Sequence, residues 1–286
     1  MQSFSTTLFA DADADYSSAQ YVIFGVPFDG TTSFKAGCRD GPAAIRAASY
    51  NLESYMPHYD VEMYEIMMHD EGDLYTECLP DLMVDQVEDT VRDIVADGKI
   101  PVMLGGEHSA TIGAVRAVRP AWYLVCDAHL DSQDEYRGSR FNHDCVTARN
   151  REIVGDNIII LGARSGTREE FTSAREHARL YTADDIRDRG IAAVLDEIKT
   201  LIGSAPLYIS IDADAIDCGI TPGLGTPEPF GMTPLDIRTV IRTFAPQAVG
   251  FDYVEVMPSD QGQTAAVAAH LVREFIAGNH CGASGN

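Results

Sequence analysis

Residues Ile100–Asp131, IPVMLGGEHSATIGAVRAVRPAWYLVCDAHLD, decide the architecture. Ile100–Leu104 is a short apolar run, and Trp122–Cys126 is a second. Between them, Ser109–Val118 carries the spacing of a helix. Both runs are apolar at consecutive positions, which covers both faces of each strand. Strand, helix and strand in this order predict a βαβ unit with parallel strands in one sheet. Each strand ends in polar residues: Gly105-Gly-Glu-His108-Ser109 after the first, Asp127-Ala-His129-Leu-Asp131 after the second. In open parallel sheets, sites form beyond the carboxyl ends of the strands.

The same alternation runs outward in both directions. Tyr21–Val26, Asn157–Leu161, Leu207–Ile211 and Ala248–Val256 read as further strands. Asp40-Gly-Pro42 opens a helix to about Leu52, with proline near the first turn where its missing N–H does no harm. Leu82–Asp97 reads as a helix with Met83, Val84, Val87, Val91, Ile94 and Val95 on one stripe, ended by Gly98. Thr167–Glu176, Ile191–Ile202, Leu235–Phe244 and Thr264–Ala277 complete the helices. The pattern predicts an α/β fold with a parallel sheet covered on both sides. With no repeat, linker or composition break, residues 1–286 read as one domain. Residues 1–18 form an acidic N-terminal segment around Asp11-Ala-Asp-Ala-Asp15, expected to be a solvated face.

Composition narrows the function classes. The chain has 286 residues, 45% of them hydrophobic, enough for a large core. Its net charge of -23 argues against nucleic acid and anionic membrane as partners, since both need a cationic face. Lys35, Lys99 and Lys199 are the only lysines. Such an acidic, Lys-poor chain fits ordinary solubility, with adaptation to high salt as the alternative. The six cysteines are scattered without a CxxC pair, the pattern of reduced thiols in a cytosolic protein. The N-terminus has neither a basic region nor an apolar one, and no apolar run approaches the roughly 20 residues of a membrane span. A cytoplasmic protein is expected.

A third strand end adds Asp212-Ala-Asp214-Ala-Ile-Asp217 to the same sheet edge. Alone, an Asp-Ala-Asp after a strand also fits an aspartyl nucleophile of a phosphatase or a plain turn. Asp127–Asp131 says more. If it is extended, residues i, i+2 and i+4 point the same way, so Asp127, His129 and Asp131 converge. With His108, Asp212 and Asp214 the edge offers four carboxylates and two imidazoles. That donor set suits two hard or borderline divalent ions and favours Mn²⁺ over Zn²⁺. Cys126 alternates to the opposite face, so no thiolate belongs to the set.

These segments resemble the ureohydrolase family, arginase, agmatinase and their relatives, over nearly the whole chain. Gly105–Ser109, Asp127–Asp131 and Ser210–Asp217 look like its three metal-binding signatures, the third continuing as Thr221-Pro-Gly-Leu-Gly-Thr-Pro-Glu-Pro229. The resemblance implies a three-layer α/β/α fold and two Mn²⁺ per subunit on His108, Asp127, His129, Asp131, Asp212 and Asp214. It also implies a homotrimer or homohexamer. Glu255, in Asp252-Tyr-Val-Glu255, matches the family glutamate that grips the guanidinium. His143, in Phe141-Asn-His143, matches a histidine that passes a proton to the leaving amine, and an ordinary imidazole pKa near 6.5 would suit that role.

Within the family, Gly25-Val-Pro-Phe-Asp-Gly-Thr-Thr32 and Gly41-Pro-Ala-Ala-Ile-Arg46 are most similar to the agmatinase pattern. The loop that holds the α-amino acid end of arginine in arginases is not recognisable after Asp131. Three positions depart from the usual pattern: Glu107 where many members have Asp, Cys218 in place of proline, and Phe230 in place of glycine. A resonance-stabilised guanidinium resists water, and a hydroxide generated between two ions answers that. The expected activity is hydrolysis of agmatine, a small cationic guanidino compound, to putrescine and urea. Guanidinobutyrate or arginine as substrate, and a catalytically silent metal-binding homologue, are the alternatives.

Overall fold

The computed structural model describes residues 7–283. In chain order the first half runs β1 (Tyr21–Val26), α1 (Gly41–Ser49), a small hairpin of β2 (Tyr55–Met56) and β3 (Val61–Glu62), and β4 (Met68–Asp73). It continues with α2 (Pro80–Ala96), β5 (Ile100–Gly105), α3 (Thr111–Val118), β6 (Trp122–Cys126) and α4 (Val146–Val154). The second half runs β7 (Ile158–Ala163), α5 (Arg168–His177), β8 (Arg179–Thr182), α6 (Ala183–Arg189) and α7 (Ile191–Ile202). It closes with β9 (Leu207–Asp212), α8 (Pro234–Phe244), β10 (Ala248–Val254) and α9 (Gln263–Ala283).

Eight strands form one sheet in the order β4-β1-β5-β10-β9-β6-β7-β8, and every neighbouring pair is parallel. Alternation along the strands sorts the core into two layers. Tyr21, Ile23, Leu124 and Ile209 pack with Ile45 of α1, Ile198 of α7, Ile237 of α8 and Val272 of α9. Val22, Phe24, Tyr123 and Tyr208 pack on the other side with Val84 and Val87 of α2, Ile112 of α3 and Val146 of α4. The result is the three-layer α/β/α arrangement that the apolar runs predict. Cys126 lies in the first layer.

The departures have physical causes. Val95 is 37% exposed, at the rim of α2 rather than on its buried stripe. β4 and β8 escape an apolar-run search because they are the two edge strands, MHDEGD and RLYT, with only alternate or single buried positions. The acidic run at Asp11–Asp15 is not simply solvated. Asp11 accepts a hydrogen bond from the buried Arg273 of α9 at 2.8 Å, Ala12 is buried, and the Ala14 amide donates to the Met68 carbonyl at 3.0 Å. A buried guanidinium needs a counter-charge, and the N-terminal segment brings it.

Arg46 fastens α1 beneath the sheet. Its Nε and Nη2 donate to Asp70 at 2.8 and 2.9 Å in a bidentate pair, and Nη1 reaches Asp73. Both Arg46 and Asp70 are buried. Removing one partner strands the other's charge, so Arg46→Ala should cost about 3–5 kcal/mol of unfolding free energy. Urea denaturation would measure it, and a loss below about 1 kcal/mol, the level of an exposed pair, would contradict this role.

Candidate metal centre

The four middle strands of the sheet, β5, β10, β9 and β6, lie side by side. Their carboxyl ends lead into His108, Glu255, Asp212 and Asp127 respectively. The loops there are stitched by backbone bonds. Gly106 N–H donates to the Val26 carbonyl, Glu107 N–H to Phe28, and Glu255 N–H to Gly106, each at 2.8 Å. A Cβ on Gly106 would lie 2.1 Å from the Phe28 carbonyl oxygen, so only glycine lets the two loops close.

Two groups of donors meet at this edge. His108 Nδ1 lies 3.2 Å from Asp127 Oδ2, 3.3 Å from Asp131 Oδ2 and 3.3 Å from Asp212 Oδ2. His129 Nδ1 lies 3.0 Å from Asp214 Oδ2 and 3.6 Å from Asp127 Oδ1. Donor atoms of His108, Asp127 and Asp131 fall within 4.8 Å of one another, as do those of Asp127, His129 and Asp214. Asp127 belongs to both triads. All six residues predicted as ligands are therefore together, Asp212 joining through its contact with His108. Asp217 is not among them: its carboxylate accepts the Gly219 and Gly231 amides and closes the following loop.

The convergence of Asp127, His129 and Asp131 does not arise from an extended segment. The strand ends at Cys126, and Asp131 has a left-handed backbone, φ 46°. Asp131 thereby joins the His108 group while His129 turns toward Asp214. Backbone amides fix the other carboxylate oxygens: His129 N–H donates to Asp127 Oδ1 at 2.6 Å, Asp214 N–H to Asp212 Oδ1 at 2.9 Å, and Ala128 N–H to Asp214 Oδ1 at 3.0 Å. Glu255 also holds a left-handed backbone, φ 62°. Strain of this kind persists where the surroundings dictate it, most often at functional sites.

These residues fit divalent cations. His108 Nδ1 is buried and has no hydrogen-bond partner among the described residues, although three carboxylates face it. Its other nitrogen explains why. Ser210 Oγ donates its one proton to Asp252 Oδ1 at 2.6 Å, so at 3.0 Å from His108 Nε2 it can only accept. Nε2 therefore carries the ring proton, and Nδ1 presents a lone pair to the cluster. Thr111 anchors the far oxygen of Asp252 at 2.9 Å. His129 Nε2 lies 3.7 Å from Glu228 Oε1, a nearby charge beyond hydrogen-bond distance.

The carboxylates are crowded. Burial and the adjacent Asp127 charge push Asp131 up to about 8. Burial, with Asp214 and Asp127 beside it, pushes Asp212 well above the usual carboxylate range. Such a field calls for positive charge.

Glu255 and His143 sit beside this cluster. Glu255 Oε1 accepts the His108 amide at 2.8 Å, and burial with the neighbouring Glu107 charge raises its pKa to about 8. His143 meets Thr31 Oγ1 through Nδ1 and Ser33 Oγ through Nε2, both at 3.1 Å. Its pKa is not ordinary: burial pushes it down to about 4. Arg140 is taken up by Asp134 and Glu152 at the surface.

Sequence reasoning did not find Ser210, Asp252, Glu228, Thr31 or Ser33. A signal existed for two of them. Asp252 is a charged residue inside a strand buried at every position but Val249, and Ser210 shares its strand face with Asp212.

An eight-stranded parallel α/β sheet with a His/Asp site able to hold paired divalent ions defines the class of protein. The sequence matches the arginase family over residues 19–278, and the chain belongs to that family. It is 38% identical over 277 residues to an agmatinase of Pyrococcus horikoshii, covering 92% of this chain and 93% of the relative. It is 41% identical over 266 residues to an N(1)-aminopropylagmatine ureohydrolase of Thermococcus kodakarensis, covering 89% and 88%. The solved agmatine ureohydrolase of Thermoplasma volcanium is 39% identical, with a TM-score of 0.94 over 99% of this chain and 97% of that one. The protein is thus an enzyme of the ureohydrolase type, agmatinase-like.

The hydrogen bond from His108 to Ser210 is directly testable. Ser210→Ala frees the imidazole to turn and to exchange tautomers, which should weaken divalent-metal binding about 10- to 100-fold in equilibrium dialysis. Unchanged affinity would contradict the assignment.

Proposed function

We propose that this enzyme hydrolyses agmatine to putrescine and urea at a binuclear manganese centre held by His108, Asp127, His129, Asp131, Asp212 and Asp214. The observation that carries the reading is the sharing of Asp127 between two triads of donors, one buried and the other buried but for His129. Four carboxylates and two imidazoles without a thiolate favour manganese over zinc. When bound, such ions make a water nucleophile available near neutral pH.

The chain's own residues do the rest. Glu255, its Oε1 fixed by the His108 amide, accepts guanidinium N–H groups and turns the guanidinium carbon toward the cluster. Water's oxygen bonds to that carbon, the bond to the alkyl nitrogen breaks, and that nitrogen must gain a proton to leave as the amine. His143 carries it. Neutral at working pH, it takes up a proton from the attacking water before it gives one to the amine. The net negative field of the cluster draws in a cationic substrate.

A second reading concerns chain length. Relatives in Thermococcus kodakarensis and Synechocystis are N(1)-aminopropylagmatine ureohydrolases, at 41% and 33% identity. That supports an aminopropyl-extended guanidine as the competing substrate. Arginine is disfavoured, because no segment after Asp131 resembles the arginase loop for the amino acid end. Guanidinobutyrate would place a carboxylate where agmatine has an amine. The working unit in this proposal is one ureohydrolase domain, assembled as a homotrimer or homohexamer in the cytoplasm. No helix among the described residues is long and apolar enough to cross a membrane.

Urea release by manganese-loaded protein should be fastest with agmatine among agmatine, N(1)-aminopropylagmatine, guanidinobutyrate and arginine, and should fall to background with a chelator. Preference for the aminopropyl compound would establish the second reading. No urea from any of them would overturn both.

A further inference from the structure

Glu107 takes no part in the metal cluster, yet its side chain is fully buried and collects three donors. Thr31 N–H reaches Oε2 at 2.7 Å, and the hydroxyls of Thr31, at 2.6 Å, and Ser109 both reach Oε1. An amide N–H and two hydroxyls thus converge on Glu107, and its two oxygens serve them as acceptors. Thr31 has a single hydroxyl proton, and the bond to Glu107 uses it. Toward His143, Thr31 Oγ1 can therefore only accept. It accepts twice, from the His143 backbone N–H at 3.1 Å and from Nδ1 at 3.1 Å. With one bond donated and two accepted, the hydroxyl is saturated.

The proton on His143 follows from this count. Nδ1 must carry it, because an acceptor faces it. Burial keeps the ring neutral, so only one nitrogen is protonated. Nε2 is left with its lone pair, to which Ser33 Oγ at 3.1 Å donates.

We propose that Glu107, acting through Thr31, fixes His143 as the tautomer with Nδ1 protonated and Nε2 ready to accept a proton. Glu107 is thus a positioning residue. It sets which nitrogen exchanges protons, much as a carboxylate partner sets the tautomer of a catalytic histidine elsewhere. The functional consequence rests on His143 being the proton carrier of the proposed reaction; the tautomer itself does not.

Near-isosteric exchange tests the assignment. In Glu107→Gln, the amide oxygen accepts the Thr31 N–H and the NH₂ group faces Thr31 Oγ1. Thr31 Oγ1 then accepts from the amide, and its own proton is free to turn to His143 Nδ1. The tautomer should invert to Nε2–H. Long-range ¹⁵N–¹H correlation on ¹⁵N-histidine-labelled full-length protein, loaded with diamagnetic magnesium, reads each ring nitrogen as protonated or lone-pair type. Wild type and Thr31→Ser should both show Nδ1–H, Glu107→Gln should show Nε2–H, and Thr31→Val should show a mixture. Wild-type protein as Nε2–H, or Thr31→Val with the wild-type pattern, would overturn the proposal even if Glu107→Gln does not fold. In turnover, Glu107→Gln should lower kcat about 10- to 100-fold with KM and bound metal little changed. Loss of metal together with kcat would mark Glu107 as merely structural and would also overturn it. If no guanidino substrate is turned over by the wild type, the proposed reaction falls while the tautomer is still read.

Discussion

Asp127, Asp131, Asp212 and Asp214 are all buried at one sheet edge, and their mutual repulsion is the constraint on which the rest of the site depends. Two unit charges about 4 Å apart repel by roughly 4 kcal/mol at an effective dielectric of about 20. Four of them in one cluster are tolerable only with protons or cations between them. Among the described residues, no lysine or arginine forms an ion pair with these four carboxylates. The protein supplies two imidazoles instead, and it fixes His108 so that a lone pair, not a proton, faces the aspartates. That arrangement is useful to a cation and costly without one.

The sheet makes the cluster possible. β5, β10, β9 and β6 are neighbours in space but far apart in sequence, and parallel pairing brings their carboxyl ends to one edge. Each strand end is then bent sharply off the sheet by its own local device. Gly106 allows backbone contact with the β1 loop, Asp131 and Glu255 take left-handed conformations, and Asp212 caps the turn that delivers Asp214. Behind the first ring of residues runs a second one, Ser210, Asp252, Glu228, Glu107 and Thr31. Ser210 hydrogen-bonds the His108 imidazole and Thr31 that of His143, each hydroxyl held in turn by a buried carboxylate. Rigid placement of this kind is what positioning and proton transfer require.

Much of this was legible in the sequence, for identifiable reasons. Strands buried on both faces read as unbroken apolar runs, so the six inner strands emerged to within two residues at each end. The edge strands β4 and β8 did not, because half of their surface meets water and their composition says so. The six donors were legible because His and Asp directly after apolar strands have no packing reason to be there. The way they converge was not: alternation along an extended segment predicted it for Asp131, whereas a left-handed residue achieves it. The proton network was hidden too, since Thr31 and His143 are separated by over a hundred positions and only the fold brings them together. His143 was expected to have an ordinary pKa, a property of the free side chain that burial removes.

The central claim is that the aspartate cluster exists to hold two cations with Asp127 between them. Anomalous diffraction from crystals of the manganese-loaded protein, recorded across the manganese absorption edge, tests it most directly. The account predicts two anomalous peaks, one ligated by His108 and Asp131, the other by His129 and Asp214, with Asp127 bound to both. A single peak, or two peaks with Asp127 bound to neither, would contradict it.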